Sequence, residues 1–267
     1  MQAQQHTPYT LITGASMGIG KAFAGACARK GRNLLLVAFP DGQLEEVQRE
    51  LLAVFSVSVL IFPVDLTQAD AAQRLVRFCE EKKLAIDILI NNAGMGAGGL
   101  FENIPLEKYL QIIDLNNKAM VSLCHRFLPL LQAQERAYVL NMSSMEATLP
   151  LPYKAVYTGS KNFVYAFSLA LREEQQPGPV SVTVVCPGPV LTNPEALMRA
   201  NAHGKRARWV MCSPEEVADL ALKGLFRGKA VVVPGRVNQA LVRLMKLVPT
   251  SLKMRLLERL FRVYRNH

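Results

Sequence analysis

Residues 9–20 read Tyr9-Thr10-Leu11-Ile12-Thr13-Gly14-Ala15-Ser16-Met17-Gly18-Ile19-Gly20. An apolar strand runs straight into a turn with three glycines in eight residues, and a helical pattern, Ile19–Arg29, follows at once. Glycine lets the backbone turn tightly, approach a pyrophosphate and pack a helix close to a strand. The helix N-terminus then presents unpaired N–H groups to the phosphates. Gly14, Ser16, Gly18, Ile19 and Gly20 are the candidate contacts. The spacing is G-x-x-x-G-x-G rather than the G-x-G-x-x-G of longer dehydrogenases. Such a turn can also be no more than a tight connection, so the rest of the chain has to decide.

Outward from this turn, Val/Ile/Leu-rich runs alternate with longer amphipathic stretches, the pattern of βαβ units and a parallel sheet. Strands are predicted at Tyr9–Thr13, Asn33–Ala38, Val57–Pro63, Asp87–Ile90, Ala137–Asn141, Val180–Cys186 and Ala230–Val233. Helices are predicted at Ile19–Arg29, Gln43–Phe55, Ala69–Lys83, Leu106–Gln134, Ala155–Gln175 and Pro214–Gly224. The last opens with Ser213-Pro214-Glu215-Glu216, a capping box with proline at the first helical position. The expected fold is α/β, a doubly wound parallel seven-stranded sheet with helices on both faces and ligands outside the strand C-termini. Residues 1–235 are read as the dinucleotide-binding and catalytic unit, with 236–267 a basic amphipathic extension of the same domain. Two stretches break the alternation. Pro189 to Cys212 is long, irregular and flanked by Pro-Gly-Pro, which suggests a mobile lid. Val237 to Val263 reads as two basic amphipathic helices broken at Pro249.

Composition excludes several classes. Half of the 267 residues are hydrophobic and 19% are charged, as in a folded globular protein. No apolar run is long enough to span a bilayer. The short polar N-terminus leaves no room for a signal peptide, so a cytoplasmic location is expected. Cys27, Cys79, Cys124, Cys186 and Cys212 lack metal or disulfide spacing, and the four histidines are equally dispersed, so no metal site is expected. The net charge is +10, with eight Lys and Arg against Glu258 alone from Arg236 onward. That segment lacks interleaved aromatics and no reading module precedes it, which argues against nucleic acid as a partner.

Several further residues could carry chemistry. Asp65, in Val64-Asp65-Leu66-Thr67, ends the third strand and suits either an adenine amino group or a helix N-cap. Asn91-Asn92-Ala93-Gly94 ends the fourth and could run beneath a ribose or form a polar turn. Tyr157 and Lys161 share a helix face, being four residues apart. A phenol titrates near pH ~10. A neighbouring ammonium, helped by an oxidised nicotinamide, would lower that value and fit Tyr157 for proton transfer. Ser144 stands 13 residues before Tyr157 and could hydrogen-bond a substrate oxygen, with Ser143 as competitor. Asn116 sits among Ile112, Ile113, Leu115 and Met120, where it either faces solvent or bends the helix and holds a water leading to Lys161.

In order and spacing these motifs resemble the short-chain dehydrogenase/reductase family in its compact single-domain form, a Rossmann-type fold. The resemblance runs from Tyr9 to about Gly235 and includes Pro187-Gly188-x-Val190-x-Thr192. It implies a nicotinamide-dependent oxidoreductase moving a hydride between NAD(P) and a carbonyl or alcohol. Tyr157 would be the acid/base, Ser144 the substrate orienter, Lys161 a ribose ligand and Asn116 the holder of a relay water. Asp65, Leu66, Asn91, Ala93 and Gly94 would line the cofactor, and Pro187, Gly188, Val190 and Thr192 the nicotinamide. The complete set points to an active enzyme rather than a non-catalytic dinucleotide-binding regulator.

Relatives that choose NAD carry an acid at the end of the second strand. Here the chain reads Val37-Ala38-Phe39-Pro40-Asp41 with Met17 in the turn, which tips the reading to NADP over NAD. The pocket is expected from Met95–Gly99, Met145–Tyr153, Pro189–Leu191 and the lid, with Met145 and Tyr153 facing substrate. Its apolar residues suggest a lipophilic ketone or 3-oxoacyl compound, although Leu149-Pro150-Leu151-Pro152 could merely pack. Lys205, Arg206 and Arg208 could greet an anionic substrate or be solvated surface. The leucines of the basic tail would pack on the domain or a partner subunit, the preferred reading, or lie on an anionic membrane, where the tail itself could be the functional part. A homo-oligomer through the helices holding Asn116 and Tyr157 is expected.

Overall fold

A computed structural model describes residues 7–190 and 211–266. Its centre is a seven-stranded parallel sheet in the order β3-β2-β1-β4-β5-β6-β7. The strands are β1 (Tyr9–Thr13), β2 (Asn33–Ala38), β3 (Val59–Pro63), β4 (Ile86–Asn91), β5 (Ala137–Met142), β6 (Val180–Val185) and β7 (Val231–Val232). Around it lie α1 (Gly18–Ala28), α2 (Gln43–Val54), α3 (Ala71–Glu81), α4 (Leu106–Ile113), α5 (Met120–Gln132), α6 (Ala155–Glu174) and α7 (Pro214–Phe226). Then come α8 (Arg236–Leu247), α9 (Thr250–Phe261) and a 3-10 segment, Arg262–Asn266.

The near-continuous apolar strands follow from burial on both sides. Leu34 and Leu36 belong to the core with Phe23 of α1, Leu44 of α2 and Leu225 of α7. Leu35 and Val37, one residue out of phase, belong to the core with Leu75 of α3, Phe127 of α5 and Val164 of α6. Phe23 and Phe127 are fully buried, one on each face, and each contributes on the order of 3 kcal/mol. Ser213 caps α7 by accepting from Glu216 N at 3.1 Å, with Pro214 in the first turn.

The strand order reverses between β1 and β4, and the crevice there opens at the strand C-termini. One expectation needs correction. The stretch predicted as a single helix over Leu106–Gln134 is two α-helices joined by a π-helical segment, Asp114–Ala119. The wider turn carries Asn116 and Asn117 inward, where both are buried. Asn116 therefore does not face solvent. The expected break at Pro249 is present, between α8 and α9. The expected lid, with Leu191, Thr192, Lys205, Arg206 and Arg208, lies outside the described residues. Its two ends meet, because Val190 bridges to Cys212.

Candidate active site

The floor of the crevice is built from backbone and small residues. Gly14 has φ of +64°, and a Cβ there would lie 2.9 Å from Ala93 Cα. A Cβ on Gly20 would come within 1.9 Å of the Gly14 carbonyl oxygen, so only glycine fits. Thr13 Oγ1 accepts from the Asn92 and Ala93 amides, both at 3.0 Å. Asn92 Nδ2 returns bonds to the carbonyls of Thr13 and Gly14. The end of β4 is thus locked to the glycine turn. Met17 occupies the N-cap of α1 without a side-chain cap, so the first-turn N–H groups of that helix face the crevice beside Ser16 and Ile19.

Two predicted cofactor residues are engaged in the fold itself. Asp65 Oδ1 accepts from Thr67 N at 2.9 Å and Thr67 Oγ1 at 2.8 Å, an Asx-type turn rather than a helix N-cap. Leu66 beside it is buried. Asn91 sends its side chain to the α5 face, where Nδ2 donates to Asn141 Oδ1 and Cys124 Sγ. Asn141 continues to Ser168 of α6. Asn91 therefore ties β4 to β5, leaving its backbone and Ala93-Gly94 to face the crevice.

At the C-terminal end of β5 the two serines separate. Ser143 Oγ donates to the Lys161 carbonyl at 2.7 Å and serves α6. Ser144 Oγ accepts from Glu146 N and stands beside the Tyr157 phenol. Lys161 is buried, and its Nζ donates to the Met142 carbonyl at 3.0 Å. It also lies 3.1 Å from where a Cβ on Gly94 would stand, as does Asn116 Oδ1. Gly94 is thus the gap between the two.

Asn116 acts through its amide. Oδ1 accepts from Met95 N, and Nδ2 donates to the Met95 carbonyl and to Ser160 Oγ, each at 2.9 Å. Ser160 Oγ donates in turn to the Tyr157 carbonyl. A Cβ on Gly96 would strike the Tyr157 ring at 2.9 Å. Asn116 therefore braces Tyr157 on two sides, with its side chain already committed to these partners.

Burial dominates the electrostatics of the pair. It pushes the Tyr157 phenol up to about 12, the Glu146 carboxylate adds to the rise, and neighbouring Ser144 offsets part of it. Burial also moves the Lys161 ammonium down to about 8.

The substrate side differs most from the sequence reading. Leu149 and Leu151 pack with Met245 of α8 and Leu257 of α9 in a small core of their own. They seat the C-terminal helices rather than line an open pocket. Tyr153 holds φ of +65°, and its hydroxyl donates to Glu258 Oε1 at 3.1 Å, so this side chain too is tied to α9. Met145 is buried, with its amide on the Pro187 carbonyl. Lys154 pairs with Glu146 at 3.1 Å and sits 5.9, 5.5 and 4.9 Å from the ring centroids of Tyr157, Phe261 and Tyr264. Gly188 abuts buried Asn238 of α8, where a Cβ would meet Nδ2 at 2.5 Å. Glu146, Lys154, Ser160, Asn238, Glu258, Phe261 and Tyr264 escaped the sequence reading. Only Asn238 gave a signal, as an uncharged polar residue among the leucines and basic residues of α8. A cavity of about 490 Å³ lies apart from Tyr157, bordered by Tyr165, Gly224, Val232 and Val242.

The family model for short chain dehydrogenases matches residues 8–203. The chain is a short-chain dehydrogenase/reductase. It is 35% identical over 208 residues to the very-long-chain 3-oxoacyl-CoA reductase of Eremothecium gossypii, a match covering 73% of this chain and 57% of that one. The chain spans about half the length of the curated relatives it matches first, from 43% to 57%. A solved 7β-hydroxysteroid dehydrogenase superposes with a TM-score of 0.86 at 26% identity, covering 94% of this chain and 96% of that one. A Sphingobium yanoikuyae short-chain dehydrogenase in complex with NADPH gives 0.76 at 29% identity, covering 91% and 97%. One from Burkholderia phymatum in complex with NAD gives 0.80 at 25% identity, covering 92% and 95%. Both nicotinamide cofactors thus occur on this short-chain dehydrogenase/reductase fold.

Proposed function

We propose that this dehydrogenase/reductase reduces a lipophilic carbonyl compound, of ketone or 3-oxoacyl type, with Tyr157 as proton donor. The observation that carries the reading is the cluster at the end of β5, with Ser144 beside the Tyr157 phenol and, one helical turn from Tyr157, buried Lys161 held on the Met142 carbonyl. In this reading the Gly14–Gly20 turn and the first turn of α1 hold the pyrophosphate, and Asp65 and Leu66 flank the adenine. Ala93, Gly94 and Lys161 take the nicotinamide ribose, and Pro187, Gly188 and Val190 the ring. The fit rests on positions without room for a Cβ at Gly14 and Gly20, and on the Lys161 ammonium brought up to Gly94. When bound, the nicotinamide supplies the hydride. Ser144 orients the carbonyl oxygen, and Tyr157 gives it a proton. A phenol pushed up to about 12 is protonated at neutral pH, which suits donation. Asn116 positions Tyr157 through Met95 and Ser160.

The substrate class is supported by the similarity to an oxoacyl-CoA reductase and a hydroxysteroid dehydrogenase and by the Phe261 and Tyr264 rings, which share Lys154 with Tyr157. We infer NADP(H) as the preferred cofactor. Asp41 is turned to the start of α2, accepting from Gln43 N and Nε2, and exposed Phe39 and Met17 provide no acid for a ribose diol. A strong NAD preference in a two-nucleotide titration would refute this. We also infer a homo-oligomer through α4 and α6, where Leu106, Leu110, Ile113 and Phe163 stand exposed. The five buried free thiols support a reducing, cytoplasmic compartment. The deciding experiment is an NADPH-oxidation screen over ketones, aldehydes and 3-oxoacyl thioesters. Turnover of bulky ketones or thioesters is expected; tight nucleotide binding with no turnover on any of them would contradict the reading.

A further inference from the structure

Each C-terminal helix carries two apolar stripes, and only one of each is covered. In α8 the inner stripe is Asn238, Val242 and Met245, at i, i+4 and i+7, all buried. Val237, Leu241 and Leu244 repeat that spacing one residue earlier, and all are exposed. In α9, Leu257 is buried and Phe261 packs beside it, while Leu252, Leu256 and Leu260 stand outward at i, i+4 and i+8. Leu247, where α8 ends, is 82% exposed. Aliphatic side chains so arranged cost free energy in water unless something covers them.

Charge selects the occupant. From Arg236 to the end, eight basic residues stand against Glu258. Glu258 is itself neutralised by Arg262, at 3.0 and 2.8 Å, and by the Tyr153 hydroxyl. Arg243, Arg255 and Arg259 are exposed among the outward leucines. A second copy seated on this face by two-fold symmetry would set cation against cation. Among the described residues no helix is long and apolar enough to cross a membrane. A face that is leucine-rich, cationic and too short to span suits the headgroup region of an anionic bilayer.

We propose that the outward face of α8 and α9 docks on an anionic lipid bilayer and so holds the substrate entrance beside Tyr157 at the membrane surface. The inner side of α9 and the 3-10 segment after it, Arg262–Asn266, would form the rim of that entrance. Glu258 holds Tyr153, Tyr264 lies against Gly98, and Phe261 and Tyr264 enclose Lys154 next to Tyr157. A carbonyl compound dissolved in the bilayer would then reach the site without crossing open water. The position of the entrance rests on Tyr157 being the reacting group; the docking does not.

The test is co-flotation of the full chain with vesicles of phosphatidylcholine alone and of phosphatidylcholine mixed equally with phosphatidylglycerol. Binding to the mixed vesicles only is expected, released by molar salt, where the screening length falls to about 3 Å. The triple variant Leu244→Glu, Leu252→Glu, Leu260→Glu alters exposed positions alone. It should lose flotation about tenfold or more, while melting temperature and turnover of a water-soluble ketone stay as they are. Failure of the native chain to float with anionic vesicles overturns the proposal, as does equal flotation of the triple variant. So does a variant that leaves flotation unchanged and halves the sedimenting mass, which would mark the face as a subunit contact. Flotation requires no catalysis, so it fails or succeeds independently of the proposed reaction.

Discussion

The crevice between β1 and β4 and the rim around Tyr153 border the same site but are made in different ways. The crevice is backbone and small residues, with Gly20 under the Gly14 carbonyl and Thr13 holding two amides of the β4 end. The rim is long side chains meeting across the chain, with Tyr153 on Glu258 105 residues away and Lys154 among the rings of Phe261 and Tyr264. One is fixed by local geometry that tolerates no added atom, and the other by a helix pair that rests on a four-residue core. In the proposed reading the reaction machinery belongs to the rigid part, and access to it would be governed by the helix pair.

The largest effect should come from the rigid side. Gly20→Ala places a methyl 1.9 Å from backbone that no rotamer change can clear. Nucleotide binding should be abolished and stability lowered by about 1–3 kcal/mol, read by titration calorimetry and thermal melting; native-like binding would show that the turn is softer than its geometry. On the rim, Leu257→Ala removes a buried anchor of α9 at a cost of about 3 kcal/mol. Hydrogen exchange should speed up in residues 236–266 and stay slow in β1, β4 and β5. Uniform acceleration would mean that the two regions are one cooperative unit.

Lys161 lies at the boundary and is costly to bury. Its folded-state pKa of about 8 is below that of a free lysine. The unfolded chain therefore holds this proton where the folded one has lost it, and stability from this group rises with pH between about 8 and 10.5. Lys161→Met should gain about 2 kcal/mol at pH 7, with the gain shrinking through that window, while turnover is lost. Denaturant melts at pH 7 and pH 10 check the sign. The smallest expected effect is at Gly159 of α6, where a Cβ would meet nothing within 4 Å. Gly159→Ala should stabilise by about 0.5–1 kcal/mol, in contrast to Gly20.

The same division explains what was legible in the sequence. β1 and β2 have the bounds that their hydrophobic runs predict, Tyr9–Thr13 and Asn33–Ala38. Both are buried on two sides, so composition and turn chemistry suffice. The π-helical segment was legible only as one of two readings of Asn116, a bend in the helix, because what holds it is Asn116 reaching Met95 and Ser160, 21 and 44 residues away. A periodicity count over Leu106–Gln134 sees one helix. Leu149, Leu151 and Tyr153 read as pocket residues because their sequence is apolar and close to Tyr157. What claims them is α9, whose docking no local pattern encodes. The i, i+4 lysine is visible in sequence, whereas the burial that raises the Tyr157 phenol is not.

The measurement closest to the central claim is Tyr157→Phe, which removes one hydroxyl and leaves the ring packed on Gly96. Turnover should fall by about 10²–10⁴-fold, the contribution of a positioned proton donor, while NADPH affinity by titration stays within a few-fold of native. A variant that reduces the same ketone at the native rate would contradict the assignment of Tyr157 as the proton donor.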